Sequence, residues 1–132
     1  MEQSIGVALI ARNSEATIRG CIESFKDYVQ QTVVVLAGES TDKTEEIVRS
    51  IDGVEVYKFD WCEDFSAARN FSFSKLHTDF YLWVDADDEV YQAENLKRLV
   101  NEARDEVGAI WLPYHYAIDE FGNVNTVYER ER

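Results

Sequence analysis

Four of the five residues in Asp85-Ala86-Asp87-Asp88-Glu89 carry carboxylates, and they follow directly on the apolar run Tyr81-Leu82-Trp83-Val84. Carboxylates packed side by side repel one another unless solvent or a cation screens them. Asp85 and Asp87 are two apart, which on an extended segment puts both on one side, able to share a hard cation through oxygen ligands. A divalent ion held there would bridge a diphosphate and stabilise the charge of a departing nucleoside diphosphate. The same residues also suit a solvated loop whose acids favour a helix N-terminus. Spacing alone leaves both readings open.

Other groups are weaker. Gly38-Glu39-Ser40-Thr41-Asp42 reads as a strand-to-helix turn able to meet a phosphate or nucleoside through backbone N–H groups. It lacks the Gly-Lys-Ser/Thr ending of a P-loop, and an ordinary capped turn has the same composition. Arg69, within Ala67-Ala68-Arg69-Asn70, suits a bidentate contact with phosphate, and a surface ion pair is the plainer role. His77 and His115 lie near no pattern for nucleophilic catalysis or zinc and read as ordinary histidines.

Strands that end where these groups begin would position them. Ser4–Ala11, Thr32–Ala37, Val54–Phe59 and Phe80–Val84 are apolar runs of strand length. Between them the apolar spacing turns helical. Glu15–Val29 carries Ile18, Cys21, Ile22, Phe25 and Val29 on one face, with Asn13 or Ser14 as cap. A short helix over Lys43–Ile51 has Asp42 as cap and Glu45 completing a capping-box spacing. Asp64 caps a helix over Phe65–Leu76, and Ala93–Val107 forms a longer one. Ala109–Leu112 is a strand stopped by Pro113. Tyr114–Ile118 and Val124–Glu129 then flank a hairpin turn at Asp119–Asn123. Alternating strands and helices predict an α/β fold of Rossmann-like type: a mostly parallel central sheet, helices on both faces, and a C-terminal β-hairpin. Ligands in such sheets bind outside the carboxyl ends of the strands, where the groups above lie.

The bulk numbers narrow the partners. A chain of 132 residues fits a single domain. Aromatic content of 13% argues against disorder. The net charge of −13 argues against a nucleic-acid backbone or an anionic membrane surface as partner. A phosphorylated ligand remains compatible if a cation screens it. The two cysteines make neither a disulfide framework nor a zinc cluster, and Cys21 reads as a buried, inert thiol. The polar start Met1-Glu2-Gln3-Ser4 is unlike a signal peptide. No apolar run approaches the ~20 residues of a membrane span, so a cytoplasmic location is expected.

Taken together, four blocks resemble the family 2 glycosyltransferases of the GT-A fold. Ile5–Glu15 (IGVALIARNSE) is similar to the family's opening strand and Asn-Glu turn. Val33–Thr44 (VVVLAGESTDKT) is similar to the strand and turn written VVDDGSTDGT. Phe65–Asn70 resembles the segment whose Arg-Asn pair holds the nucleotide, and Tyr81–Val90 (YLWVDADDEV) resembles the strand and DxD motif. The blocks occur in the family's order, and the resemblance covers almost the whole chain.

The resemblance implies transfer of a sugar from a nucleotide-diphosphate sugar donor to an acceptor hydroxyl, with inversion and with Mg²⁺ or Mn²⁺. It implies Asp87 as principal metal ligand, Asp88 as helper, and Asp85 at the ribose or metal. Arg69 and Asn70 fall near the nucleotide phosphates, and Ala11, Asn13 and Glu15 line the nucleoside pocket. The acidic residue that contacts the base in the family falls on Ala37, and Glu39 occupies the usual glycine. Glu39 and Asp42 are then the available substitutes. The family's catalytic base comes from beyond a segment like Tyr114–Glu129, so the chain is expected to carry the donor-binding half of a catalytic domain. A non-catalytic nucleotide-sugar-binding module is the alternative. A sheet missing its last strand would expose an edge that invites self-association. A nucleotidyltransferase would need a glycine-rich basic loop after the first strand, and Ala11-Arg12-Asn13-Ser14-Glu15 has no glycine.

Overall fold

The computed structural model describes residues 4–60, 64–90, 93–102, 111–118 and 124–131. The chain divides into two compact units, residues 1–102 and 103–132. The first contains β1 (Ile5–Ala11), α1 (Ile18–Glu23), β2 (Gln31–Ala37), α2 (Thr44–Arg49), β3 (Val54–Phe59), α3 (Phe65–Ser74), β4 (Phe80–Asp85) and α4 (Leu96–Glu102). Single 3₁₀ turns follow α1 at Lys26–Tyr28 and precede α4 at Ala93–Asn95. The second unit contains β5 (Trp111–Ile118) and β6 (Val124–Glu131), paired antiparallel. The expected turn at Asp119–Asn123 lies outside the described residues.

The first four strands form one parallel sheet in the order β3-β2-β1-β4. The two central strands are nearly continuous in apolar residues because both of their faces are covered. On one face Ala8, Val33, Val35 and Leu76 form a buried cluster, joined by Ile10, Tyr57 and Phe59 from the strands and by Phe71 and Phe73 from α3. Strand alternation turns Val7, Leu9, Val34 and Leu36 to the opposite face. Buried Ile18, Cys21 and Ile22 of α1 and Val48 of α2 are the side chains available to cover it. Each such buried aliphatic side chain contributes about 1.5–3 kcal/mol. The amino end of the sheet closes tightly: a Cβ at Gly6 would collide with Thr78 Oγ1 and Leu76 Cδ2. No described helix is long and apolar enough to cross a membrane.

Three expected boundaries change. The helix expected over Glu15–Val29 is α1 followed by a 3₁₀ turn, and neither Asn13 nor Ser14 caps it, since its N-cap is Thr17. Ser24 Oγ donates to Cys21 O at 2.6 Å, competing with helix propagation, and Phe25 leaves the helical conformation while its ring stays buried. The capping box at α2 does not form: Lys43 is the N-cap without a side-chain bond, and Glu45 instead pairs with Arg49 at 2.8 Å. Pro113 does not stop a strand, because β5 runs through it. In a two-stranded pair each strand is an edge, where proline's missing N–H is tolerated. The described part of α4 ends at Glu102, and the expected extension to Val107 lies outside the described residues. Asp64 does cap α3, accepting from Ala67 N at 3.2 Å.

Candidate functional site

In the sheet's register Ile10 stands level with Val35 on one side and Asp85 on the other. The chain leaves β1 toward β2 and β3, and β4 returns to the opposite flank of β1. The strand order therefore reverses between β1 and β4, the place where open α/β sheets leave a crevice for ligands. A cleft of about 430 Å³ opens there. Ile10, Arg12, Asn13, Ser14 and Thr17 line it from β1 and the loop beyond, Ala86 and Asp87 from the turn after β4, and Ala37 from the end of β2.

The acidic turn has a defined shape. Asp88 N donates to Asp85 O at 2.9 Å, and Asp85 N donates back to Asp88 Oδ2 at 2.9 Å. Asp85, Asp87 and Asp88 each bring a carboxylate oxygen within 4.8 Å of the others. A turn gathers these groups, not the strand alternation expected for Asp85 and Asp87, since β4 ends at Asp85. Oxygen donors this close and this acidic suit a hard divalent cation, whose charge would offset their repulsion. Helix α1 supports the turn from beside it. Cys21 Sγ donates to Asp85 O at 3.4 Å, and Val90 N donates to Ser24 Oγ at 2.9 Å. Burial pushes the Cys21 thiol up to about 12, with Asp88, Asp87, Asp85 and Glu89 adding to the shift in that order. The thiol is thus buried and inert, as its place on the apolar face predicts.

On the α3 side, Arg69 Nη2 approaches Asp85 Oδ1 at 3.9 Å, and the guanidinium sits 5.9 Å from the centre of the Trp83 ring. Asn70, next on the helix, is exposed. Arg69 therefore stands at the acidic turn, where the family resemblance implies a phosphate contact.

The loops after β1 and β2 are joined to each other. Asn13 N donates to Ser40 Oγ at 3.0 Å, and Asn13 Oδ1 accepts from Thr41 N at 2.7 Å. Ser14 N donates to Thr44 Oγ1 at 2.6 Å, Glu15 N to Asp42 Oδ2 at 3.1 Å, and Lys43 N to Glu15 Oε2 at 2.9 Å. Asp42 also accepts from the Thr44 hydroxyl, which holds its carboxyl below the usual carboxylate range. Asn13 is the one non-glycine at positive φ among the described residues, at 49°. Ala11 is buried and Glu39 exposed, and neither lines the cleft. Sequence reasoning singled out Asn13 and Asp87 in the cleft wall but passed over Arg12, Ser14 and Thr17. Their signal was available, for Arg12 directly follows the last residue of a buried parallel strand.

Comparison with known proteins places this geometry in context. The profile described as Glycosyl transferase family 2 matches residues 6–131. The prophage-derived glycosyltransferase SunS of Bacillus subtilis strain 168 is 31% identical over 102 residues, which is 76% of this chain and 24% of SunS. The crystal structure of S. aureus TarS residues 1–349 superposes with a TM-score of 0.62 at 26% identity, over 74% of this chain and 31% of that one. Glucosyl-3-phosphoglycerate synthase of Mycobacterium tuberculosis, crystallised with Mn²⁺, uridine diphosphate and glucosyl-3-phosphoglycerate, superposes with a TM-score of 0.56 at 26% identity. That match covers 64% of this chain and 33% of the synthase. The chain thus spans between about a quarter and a third of each of these three chains.

Proposed function

The chain belongs to glycosyl transferase family 2, and on that premise we propose that it binds a nucleotide-diphosphate sugar in the β1–β4 cleft for inverting transfer of the sugar to an acceptor hydroxyl. The observation that carries this reading is the meeting of Asp85, Asp87 and Asp88 beside a cleft at the switch point of the sheet. The family match spans both compact units, which supports treating residues 1–132 as part of one catalytic domain.

The donor set suits Mg²⁺ or Mn²⁺. Asp87 faces the cleft and is the principal ligand, Asp85 shares the ion, and Asp88 supports it. When bound, the ion would neutralise the charge that develops on the departing diphosphate. The protein's own groups do the rest. Arg69 and Asn70 approach the phosphates from α3. Asn13 and Arg12 meet the nucleotide from the β1 side, over a floor of Ile10 and Ala37. Ala11, Glu15, Glu39 and Asp42, which the resemblance assigns to the nucleoside, stand outside the cleft lining, with Glu15 and Asp42 joined to each other's loops behind it. The Mn²⁺ and uridine diphosphate bound by the mycobacterial synthase support this choice of ligands.

Calorimetry of uridine diphosphate with and without Mn²⁺ tests the reading. Binding that needs Mn²⁺ and disappears in Asp87→Ala is expected; identical binding by that variant sinks it. A binding module without turnover is the second reading. Asp87 is the only carboxylate lining the cleft among the described residues, so no second acid stands ready there as a base. Release of sugar from a donor by this chain would exclude the module.

A further inference from the structure

We propose that Thr44, Asp42 and Glu15 form a clamp that fixes the shape of the nucleotide cleft without touching the nucleotide. The inference rests on the donor reading above and assigns three positioning residues to it. None of the three lines the cleft, and Thr44 is fully buried.

The clamp is reciprocal. The β1 loop donates Ser14 N to Thr44 Oγ1 and Glu15 N to Asp42 Oδ2, while the β2 loop donates Lys43 N to Glu15 Oε2. The Thr44 hydroxyl is the junction: it accepts from Ser14 N and donates to Asp42 Oδ1. Donor and acceptor linked in series polarise one another, so the chain is stronger than its separate bonds. Above it, Asn13 exchanges further bonds with Ser40 and Thr41.

What the clamp holds is a strained piece of backbone. Asn13 sits at φ 49° between Arg12 and Ser14, both in the cleft wall. Left-handed backbone outside glycine persists only where its surroundings over-determine it. Here the bonds at Asn13, Ser14 and Glu15 supply that constraint. Releasing them would let Arg12 and Ser14 swing with the peptide they flank.

The experiment compares the full chain with Thr44→Val and Thr44→Ser, measuring uridine diphosphate binding in Mn²⁺ and Mn²⁺ binding alone. Loss of the hydroxyl breaks two bonds in nearly isosteric space, so Thr44→Val should raise the Kd for uridine diphosphate about five- to tenfold. Thr44→Ser should restore it, and Mn²⁺ affinity should not move. If Thr44→Val fails to fold, Glu15→Ala at an exposed position should weaken binding about threefold, with Glu15→Gln restoring it. Parent-like nucleotide affinity in the variants overturns the clamp, as does a parallel loss of Mn²⁺ binding. A parent chain that binds no uridine diphosphate in Mn²⁺ instead removes the donor reading, and the clamp's role falls with it.

Discussion

Asp42 and Glu15 give their carboxylate oxygens to backbone N–H groups and to the Thr44 hydroxyl, whereas Asp85, Asp87 and Asp88 crowd theirs together at the mouth of a cleft. Both groups stand at the carboxyl end of the same sheet, the first across the loops after β1 and β2 and the second after β4, on the other flank of β1. In the loop clamp the carboxylates act as hydrogen-bond acceptors, and the geometry uses their lone pairs. In the acidic turn the useful property is charge, since neutral oxygens would draw a divalent cation far less strongly. One residue type at one end of a sheet thus does two jobs. An amide of the same shape separates them, because it keeps an acceptor oxygen and loses the charge.

The largest effect is expected where charge is the function. Asp87→Asn should lower Mn²⁺-dependent affinity for uridine diphosphate at least about 100-fold, because it would remove the charge of the proposed metal ligand at the cleft wall. Calorimetry at fixed Mn²⁺ reads this directly, and a loss below tenfold would place Asp87 with the structural acids. Next comes Arg12, the exposed cation in the cleft wall. Arg12→Ala should weaken uridine diphosphate about tenfold, the scale of one charge-assisted hydrogen bond. Mn²⁺ binding alone should be unaffected, and a matching loss of Mn²⁺ would show that Arg12 acts on the turn itself.

Asp42→Asn should fall between the two classes. Oδ1 accepts from Thr44 and Oδ2 from Glu15 N, so an amide nitrogen must face one N–H donor. A several-fold loss of nucleotide affinity is expected. The pH dependence follows from the lowered pKa of Asp42, caused first by the Thr44 hydroxyl. A carboxyl depressed in the folded state contributes its full stability above its ordinary value of 3.8 and loses it as pH falls through the lowered one. Melting temperature should therefore drop more steeply below pH 3.8 in the parent than in Asp42→Asn. Glu45 and Asp79 are also lowered, but both chains share them, so the difference between the curves isolates Asp42. Parallel curves would remove the clamp's ionic character.

The two regions were also unequally legible in the sequence. The parallel strands announce themselves because β1 and β2 are buried on both faces and carry unbroken apolar runs. The acidic turn is legible because it follows the apolar run of β4 and its members are neighbours in the chain. Helix ends are not. Phe25 keeps helical spacing because its ring must reach the core, yet the backbone at Phe25 has already left the helix. Periodicity reports which side faces inward, not whether the hydrogen-bond ladder continues. The clamp was least legible, since Glu15 and Asp42 lie 27 residues apart and meet only after β1 and β2 pair. Locally, Asp42 looks like a helix cap, and only the fold shows its second oxygen turned to another loop.

Glu15→Gln is the smallest expected effect and the sharpest separation of the two regions. Glu15 is exposed and accepts one backbone bond, from Lys43 N to Oε2 at 2.9 Å. The glutamine amide oxygen can take the same bond, so the lost charge should change nucleotide affinity less than about twofold, within the spread of an exposed acceptor. The chemically identical change from carboxylate to amide at Asp87 should then differ from it by well over an order of magnitude. A large loss in Glu15→Gln would mean that the Glu15 charge itself reaches the ligand or its metal. The carboxylates at this end of the sheet would then form one electrostatic site instead of a metal turn and a clamp.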